Sequence, residues 1–148
     1  MIPRPRRNSL IALLALAASM TAASAQAPIT VTEAWVREPV PGRAVTAAYA
    51  VVNNPGKTEI AIVSASSEIA GTAELHEMAV SGDMMKMQQV KEIKVPAAGR
   101  VELKPGGYHV MLFNLKQPLK EGDTVALVLT TSGGAKVSVT AKVRKGRM

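Results

Sequence analysis

The 148 residues contain no cysteine, so no disulfide supports the fold, no thiolate can bind a metal, and no lipid can be attached through a cysteine sulfur. Aromatics are nearly as scarce. One Trp, two Tyr and one Phe offer too little ring surface for bases to stack on, which argues against nucleic-acid binding despite a formal charge of +7. That charge is unevenly spread: Arg4, Arg6 and Arg7 lie in an amino-terminal segment without acids, and removing it leaves +4. Lys142, Arg144, Lys145 and Arg147 crowd the other end as a solvated basic tail, able at most to steer an acidic partner in a salt-sensitive way. The one long apolar run, Leu10 to Met20, is too short to span a bilayer.

That run has the setting of an export signal. A positive region precedes it, and Ala23-Ser24-Ala25 supplies the small residues of a cleavage site. Pro28 disfavours a cut after Ala27, so residues 1–25 are expected to be the signal peptide and Gln26 the first mature residue. Arg6-Arg7 resembles a twin-arginine signal only loosely, because Ser9 stands where a larger apolar residue is usual; general secretion is the expected route. The mature product, residues 26–148, is expected to be a soluble periplasmic domain. A missing cysteine suits an oxidising space, where thiols pair but thioethers remain available as soft sulfur donors, subject only to oxidation to the sulfoxide. About 120 residues make one domain with a single packed core.

The mature segment reads as strands. Lys136 to Arg144 alternates, with Val137, Val139, Ala141 and Val143 on one face and Lys136, Ser138, Thr140 and Lys142 on the other. Similar segments are Thr30 to Arg37, Val45 to Asn53, Glu59 to Ser66, Thr72 to Val80, Met84 to Val95, Arg100 to Leu103, Tyr108 to Asn114 and Thr124 to Thr131. Turn signals such as Asn53-Asn54-Pro55-Gly56, Ser81-Gly82, Pro105-Gly106-Gly107 and Ser132-Gly133-Gly134 separate them. No mature stretch has sustained helical periodicity. The pattern predicts an all-β, two-sheet antiparallel Greek-key sandwich or barrel.

What is present in concentrated form is histidine with methionine. Both histidines occur as His-x-Met, in His76-Glu77-Met78 and His109-Val110-Met111, with Met84, Met85 and Met87 between them. Imidazole and thioether together suit soft copper(I). On strands, residues two apart share a face, so each tripeptide can present two donors side by side. A two-residue hairpin turn at Ser81-Gly82 would set Met78 opposite Met85 and His76 opposite Met87, and a longer turn would shift that register. Met78 and Met85 would then shield an ion, and Met84 would point to the other face. Glu74 and Glu77 read as ordinary strand carboxylates. Trp35 and Tyr49 read as core or site-wall residues, and Phe113, on the face of His109 and Met111, as a cover for the ion.

The spacing His76, ten residues, Met87, twenty-one residues, His109, one residue, Met111 resembles the signature of the periplasmic Cu(A) copper chaperone family. Ala34-Trp35, Ala47-Ala48-Tyr49, Asn53, the Pro105 to Met111 stretch and Gly122-Asp123 extend the resemblance over most of the mature chain. It implies a cupredoxin-like β-sandwich that binds Cu(I) through His76, Met87, His109 and Met111. It also implies delivery to the Cu(A) centre of cytochrome c oxidase subunit II, alongside a thiol-based copper chaperone. Some relatives carry a methionine- and histidine-rich extension that holds copper(II); with Lys142 to Met148 at this end of the chain, that second site is not expected.

Other classes fit less well. A blue-copper carrier requires a cysteine thiolate, an oxygen-activating histidine brace requires histidine where Gln26 stands, and a hydrolytic triad would have to take a histidine from the metal pattern. The chain is therefore not expected to be an enzyme. The competing readings are a binding or adhesion sandwich with structural His and Met, and a copper storage or resistance protein without an oxidase role.

Overall fold

The computed structural model describes residues 29–146, so the expected signal peptide and cleavage point lie outside the described residues. Ten strands follow in chain order: β1 (Thr30–Arg37), β2 (Val45–Asn54), β3 (Ile60–Ser66), β4 (Ala70–Ser81), β5 (Met84–Gln89), β6 (Ile93–Val95), β7 (Gly99–Leu103), β8 (His109–Leu115), β9 (Thr124–Thr131) and β10 (Lys136–Arg144). Among the described residues no helix occurs, and none is long and apolar enough to cross a membrane. The all-β expectation holds.

Hydrogen-bonded neighbours run β5-β4-β8-β2-β1-β10-β9-β3-β6, and β7 continues the edge of β2 beyond β8. The sheet folds over so that β3 and β6 lie against β4 and β7. Val36, Val52, Ile62, Ile93, Val110, Leu112, Val125, Leu129 and Val143 are buried together in one core cluster. Burying these branched chains at roughly 1.5–3 kcal/mol each is the main stabilising term in a chain with no crosslink. One pairing departs from the antiparallel expectation: β1 and β10 are parallel, Val36 opposite Val143. Both strands alternate, and alternation does not distinguish strand directions.

Two further expectations need correction. Met84 to Val95 is not one strand. It divides into β5, exposed throughout and paired with β4, and β6, whose Ile93 and Val95 are buried and pair with β3. Neither glycine nor proline marks the crossing at Val90 to Glu92. The only sequence sign is the change from methionine and glutamine to buried β-branched residues.

The β4–β5 hairpin turns at Gly82-Asp83, not at Ser81-Gly82. A turn with positive φ at its first central position favours glycine there, and Gly82, at φ 62°, takes it, the arrangement of a type II′ turn. The alternative would have forced Ser81 into that position. His76 therefore faces Gln89, and Met78 faces Met87. The register moves by two residues, which preserves the side-chain face.

Candidate metal centre

The outer face of β4, β8 and β2 carries the candidate donors, while alternate residues of the same strands fill the core. On β8, Val110 and Leu112 point inward, and His109, Met111 and Phe113 point outward. On β4, Leu75 is in the core, and Glu74, His76 and Met78 lie on the outer face. Pairing sets His76 directly against His109 and Glu74 against Met111. The two imidazole centroids are 5.8 Å apart.

Each ring has one nitrogen fixed and one bare. His76 Nε2–H donates to Glu74 Oε2 at 2.8 Å, and His109 Nδ1–H donates to the Gly107 carbonyl at 3.0 Å. A carboxylate and a carbonyl can only accept, so the neutral form of each ring carries its proton on His76 Nε2 or His109 Nδ1 and its lone pair on His76 Nδ1 or His109 Nε2. Both bare nitrogens are buried without a hydrogen-bond partner. Leaving such an atom unsatisfied costs roughly 1–3 kcal/mol. Two of them on facing residues are expected where a ligand completes the set.

The Gly107 carbonyl is placed by local sequence. Lys104-Pro105-Gly106-Gly107 forms a turn closed by Gly107 N–H donating to Lys104 O at 3.0 Å, with Gly106 at φ 82°. Proline followed by a left-handed glycine is the type II preference. Gly107 O also accepts from the Met78 N–H at 3.2 Å, so one carbonyl ties together β4 and the His109 ring.

His109, Met111, Met78 and Met87 line one cleft of about 350 Å³, with Tyr49 and Arg37 among its other walls. His76, its side chain only 12% exposed, is not one of the residues lining that cleft. Met87 is the diagonal neighbour of His76 across the hairpin, a relation of roughly 7–8 Å that long side chains can bridge. The four residues expected as ligands thus share one face, with His109, Met87 and Met111 around one cleft and His76 against His109. Phe113 covers His76 at 6.0 Å between rings, and Tyr49 stands 6.3 Å from His109. Trp35 packs on Tyr49 at 4.5 Å because a bulge between Thr32 and Trp35 in β1 turns the indole to this face.

Burial pushes the His109 pKa below its ordinary 6.5, the neighbouring His76 and Arg37 push the same way, and the Gly107 hydrogen bond opposes them. The ring is therefore held neutral, as a metal donor must be. Arg37 lies 5.7 Å from the Tyr49 ring centroid and sets a fixed positive charge beside the cleft. No group of three or more His, Cys, Asp or Glu capable of holding an ion exists among the described residues, so hard-cation sites of that type are not found there.

Sequence reasoning took Glu74 for an ordinary strand carboxylate and missed the Gly107 carbonyl, while Met78, expected to shield the ion, does line the cleft. Glu74 had a legible signal, since a carboxylate two residues before a histidine on a strand shares its face. Gly107 had none, because a backbone carbonyl has no side-chain signature. Only the partner of Met78 was wrong, since it opposes Met87 and not Met85.

Two half-satisfied imidazoles and neighbouring thioethers on one outer sheet face of a β-sandwich have the donor chemistry that suits a soft metal ion. The chain belongs to the LpqE-like family ("Putative lipoprotein LpqE-like"), whose description matches residues 29–143. It is 35% identical over 129 residues to "Putative lipoprotein Lxx21020" of Leifsonia xyli subsp. xyli (strain CTCB07), covering 82% of this chain and 76% of that protein. Among solved structures it is similar to Cu(I)-DR1885 from Deinococcus radiodurans, with 38% identity, 84% of each chain covered and a TM-score of 0.67. The copper-bound PCuAC domain from PmoF2 shares its fold, with a TM-score of 0.69 at 22% identity over 80% of this chain and 94% of that one. The expected resemblance and the cupredoxin-like fold are thereby shown.

Proposed function

We propose that this protein is an exported copper(I) chaperone that carries Cu(I) as cargo on His76 Nδ1, His109 Nε2, Met87 and Met111. The observation that carries the reading is the pair of buried, unpartnered imidazole nitrogens, each fixed in its tautomer by a hydrogen bond from the opposite ring nitrogen. Neutral nitrogen and thioether donors match a soft monovalent ion, and the Cu(I) form of the 38% identical Deinococcus protein supports the choice. The Arg37 cation nearby disfavours a second positive charge on the cargo.

Four neutral donors hold copper less tightly than thiolates would, and Met87, 50% exposed, leaves an incoming ligand room to bind before the donor lets go. Ligand exchange of that kind is what a carrier needs. The family signature supports the Cu(A) centre of oxidase subunit II as recipient, with a thiol-based chaperone alongside, and the amino-terminal leader supports the periplasm. Residues 1–25 are then the removed signal and residues 26–148 the working domain. Nothing in the site points to a catalytic step.

Loaded anaerobically, the protein should give an X-ray absorption spectrum with two nitrogen and two sulfur neighbours. Mixed with the copper-free, reduced soluble domain of subunit II, it should then surrender the ion. An all-oxygen/nitrogen shell, or tighter binding of copper(II) and zinc(II) than of copper(I), would end the copper reading. Retention of the ion in the mixture would end only the choice of recipient.

Glu74 also has an expected effect. In E74Q the carboxamide is a weaker acceptor for His76 Nε2–H and can present its own NH2 instead, so the ring loses orientation and donor strength. Copper(I) affinity should fall by about 10-fold, the low end for such partners, in competition titrations against a chromophoric chelator. The melting temperature of the copper-free form should hardly move, since Glu74 is 30% exposed.

A further inference from the structure

We infer that Met85, Met87 and Met78 form a thioether track on the β4–β5 hairpin along which copper(I) enters and leaves the centre; this rests on the copper reading above. The β4–β5 register assigns His76, Met78, Val80, Met85, Met87 and Gln89 to the cleft face of the hairpin. None of them is a carboxylate, lysine or arginine. Glu77, Lys86, Gln88 and Met84 occupy the opposite face, where Gln88 donates to Glu77 at 2.6 Å. Over the paired stretch from His76 to Gln89, the charged side chains Glu77 and Lys86 are both on the face away from the cleft.

Burial then orders the sulfur donors. Met85 is 57% exposed near the hairpin tip, Met87 is 50% exposed at the cleft margin, and Met78 is half-buried in the cleft wall. Methionine usually fills gaps in cores, and here it is held in water instead. Residues two apart on a strand are about 6.6 Å apart, and directly opposed Cβ atoms are roughly 4.5–5.5 Å apart. Three rotatable bonds per side chain let adjacent sulfurs of such a ladder share one ion.

Movement along the track is ligand exchange. A copper–sulfur bond to the next methionine forms as the bond to the previous one breaks, and copper stays monovalent throughout. Thioether carries no proton, so no acid or base is consumed. From Met87 and Met78 the ion passes to His109, Met111 and His76. The way out reverses these steps, with Met85 the first atom group an acceptor meets.

Met84 supplies the internal control, being 62% exposed on the same hairpin but facing away. Wild type, M85L, M78L and M84L would be loaded with Cu(I) anaerobically and mixed in a stopped-flow instrument with bicinchoninate, with loading followed in the reverse direction. In M85L both rates should fall by about ten-fold at unchanged affinity, because a residue on the route alters the barrier and not its end states. M78L should also slow both rates, and M84L should change neither. With methyl-13C-methionine labelling, substoichiometric Cu(I) should perturb the Met85 and Met78 methyl signals and spare Met84.

If M85L exchanges copper as fast as M84L and its methyl signal is undisturbed in the wild type, the track is wrong while the four-ligand centre stands. If wild-type protein takes up no Cu(I), both fall.

Discussion

His109→Ala is expected to reduce copper(I) affinity by more than about 100-fold, beyond what loss of an orienting partner alone costs, with the fold intact. His109 supplies one of the two bare nitrogens and is 3% exposed, so neither water nor a neighbouring side chain can replace it easily. The stability side is less intuitive. The substitution removes one hydrogen bond to Gly107, worth a net of about 0.5–1.5 kcal/mol, but also removes an unsatisfied buried nitrogen. These effects oppose each other. The core facing the other layer, with Val110 and Leu112 on the same strand, is not touched. Melting curves of the copper-free variant should therefore stay close to wild type while chelator competition shows binding lost. A structural histidine would give the reverse, a lower melting point with nothing changed in the titration, and that result would remove the basis for the centre.

The core and the strands were legible because alternation reports burial directly. Thr30–Arg37, Thr124–Thr131 and Lys136–Arg144 are bounded in the structure as their sequence pattern predicts. Pairing partners were less legible, since alternation specifies a face and not a neighbour. The parallel contact of β1 with β10 and the departure of β6 from the line of β5 depend on which apolar faces meet across the core. The face shared by the candidate donors remained readable despite the misplaced hairpin turn. A two-residue slip keeps Met87 on the face of Met78 and His76, whereas a one-residue slip would have turned Met84 inward and Met87 away. What the slip hid was local, namely that Met78 and not His76 opposes Met87.

Glu74 and Gly107 show a different limit. Ligand spacing identifies donors by residue type, but each imidazole has two nitrogens, and only the surrounding acceptors decide which remains free. Glu74 fixes Nδ1 of His76 as the bare atom and Gly107 fixes Nε2 of His109. The two histidines would thus bind one ion through different ring atoms. That asymmetry comes from a carboxylate on β4 and from the backbone of a Pro-Gly turn, and a ligand motif contains neither.

Leu112→Ala separates the scaffold from the centre and should show how the two are coupled. Leu112 is fully buried between the layers, one residue from Met111 but on the opposite face. Its truncation is expected to destabilise the copper-free protein by about 2–5 kcal/mol, a large share of the roughly 5–15 kcal/mol that holds a domain folded. With no disulfide to limit the unfolded state, the whole deficit should appear in urea unfolding. No donor is altered, so the folded fraction should bind copper(I) as wild type does. Binding to the native state alone returns stability by mass action, about 2.7 kcal/mol at 100 times the dissociation constant. Anaerobic copper(I) should accordingly raise the unfolding midpoint of L112A and wild type by the same free energy, and leave that of H109A where it was. Equal rescue of H109A would mean that copper binds elsewhere on the molecule. Failure to rescue L112A would mean that the donors on β4, β5 and β8 do not depend on the native sheet to come together.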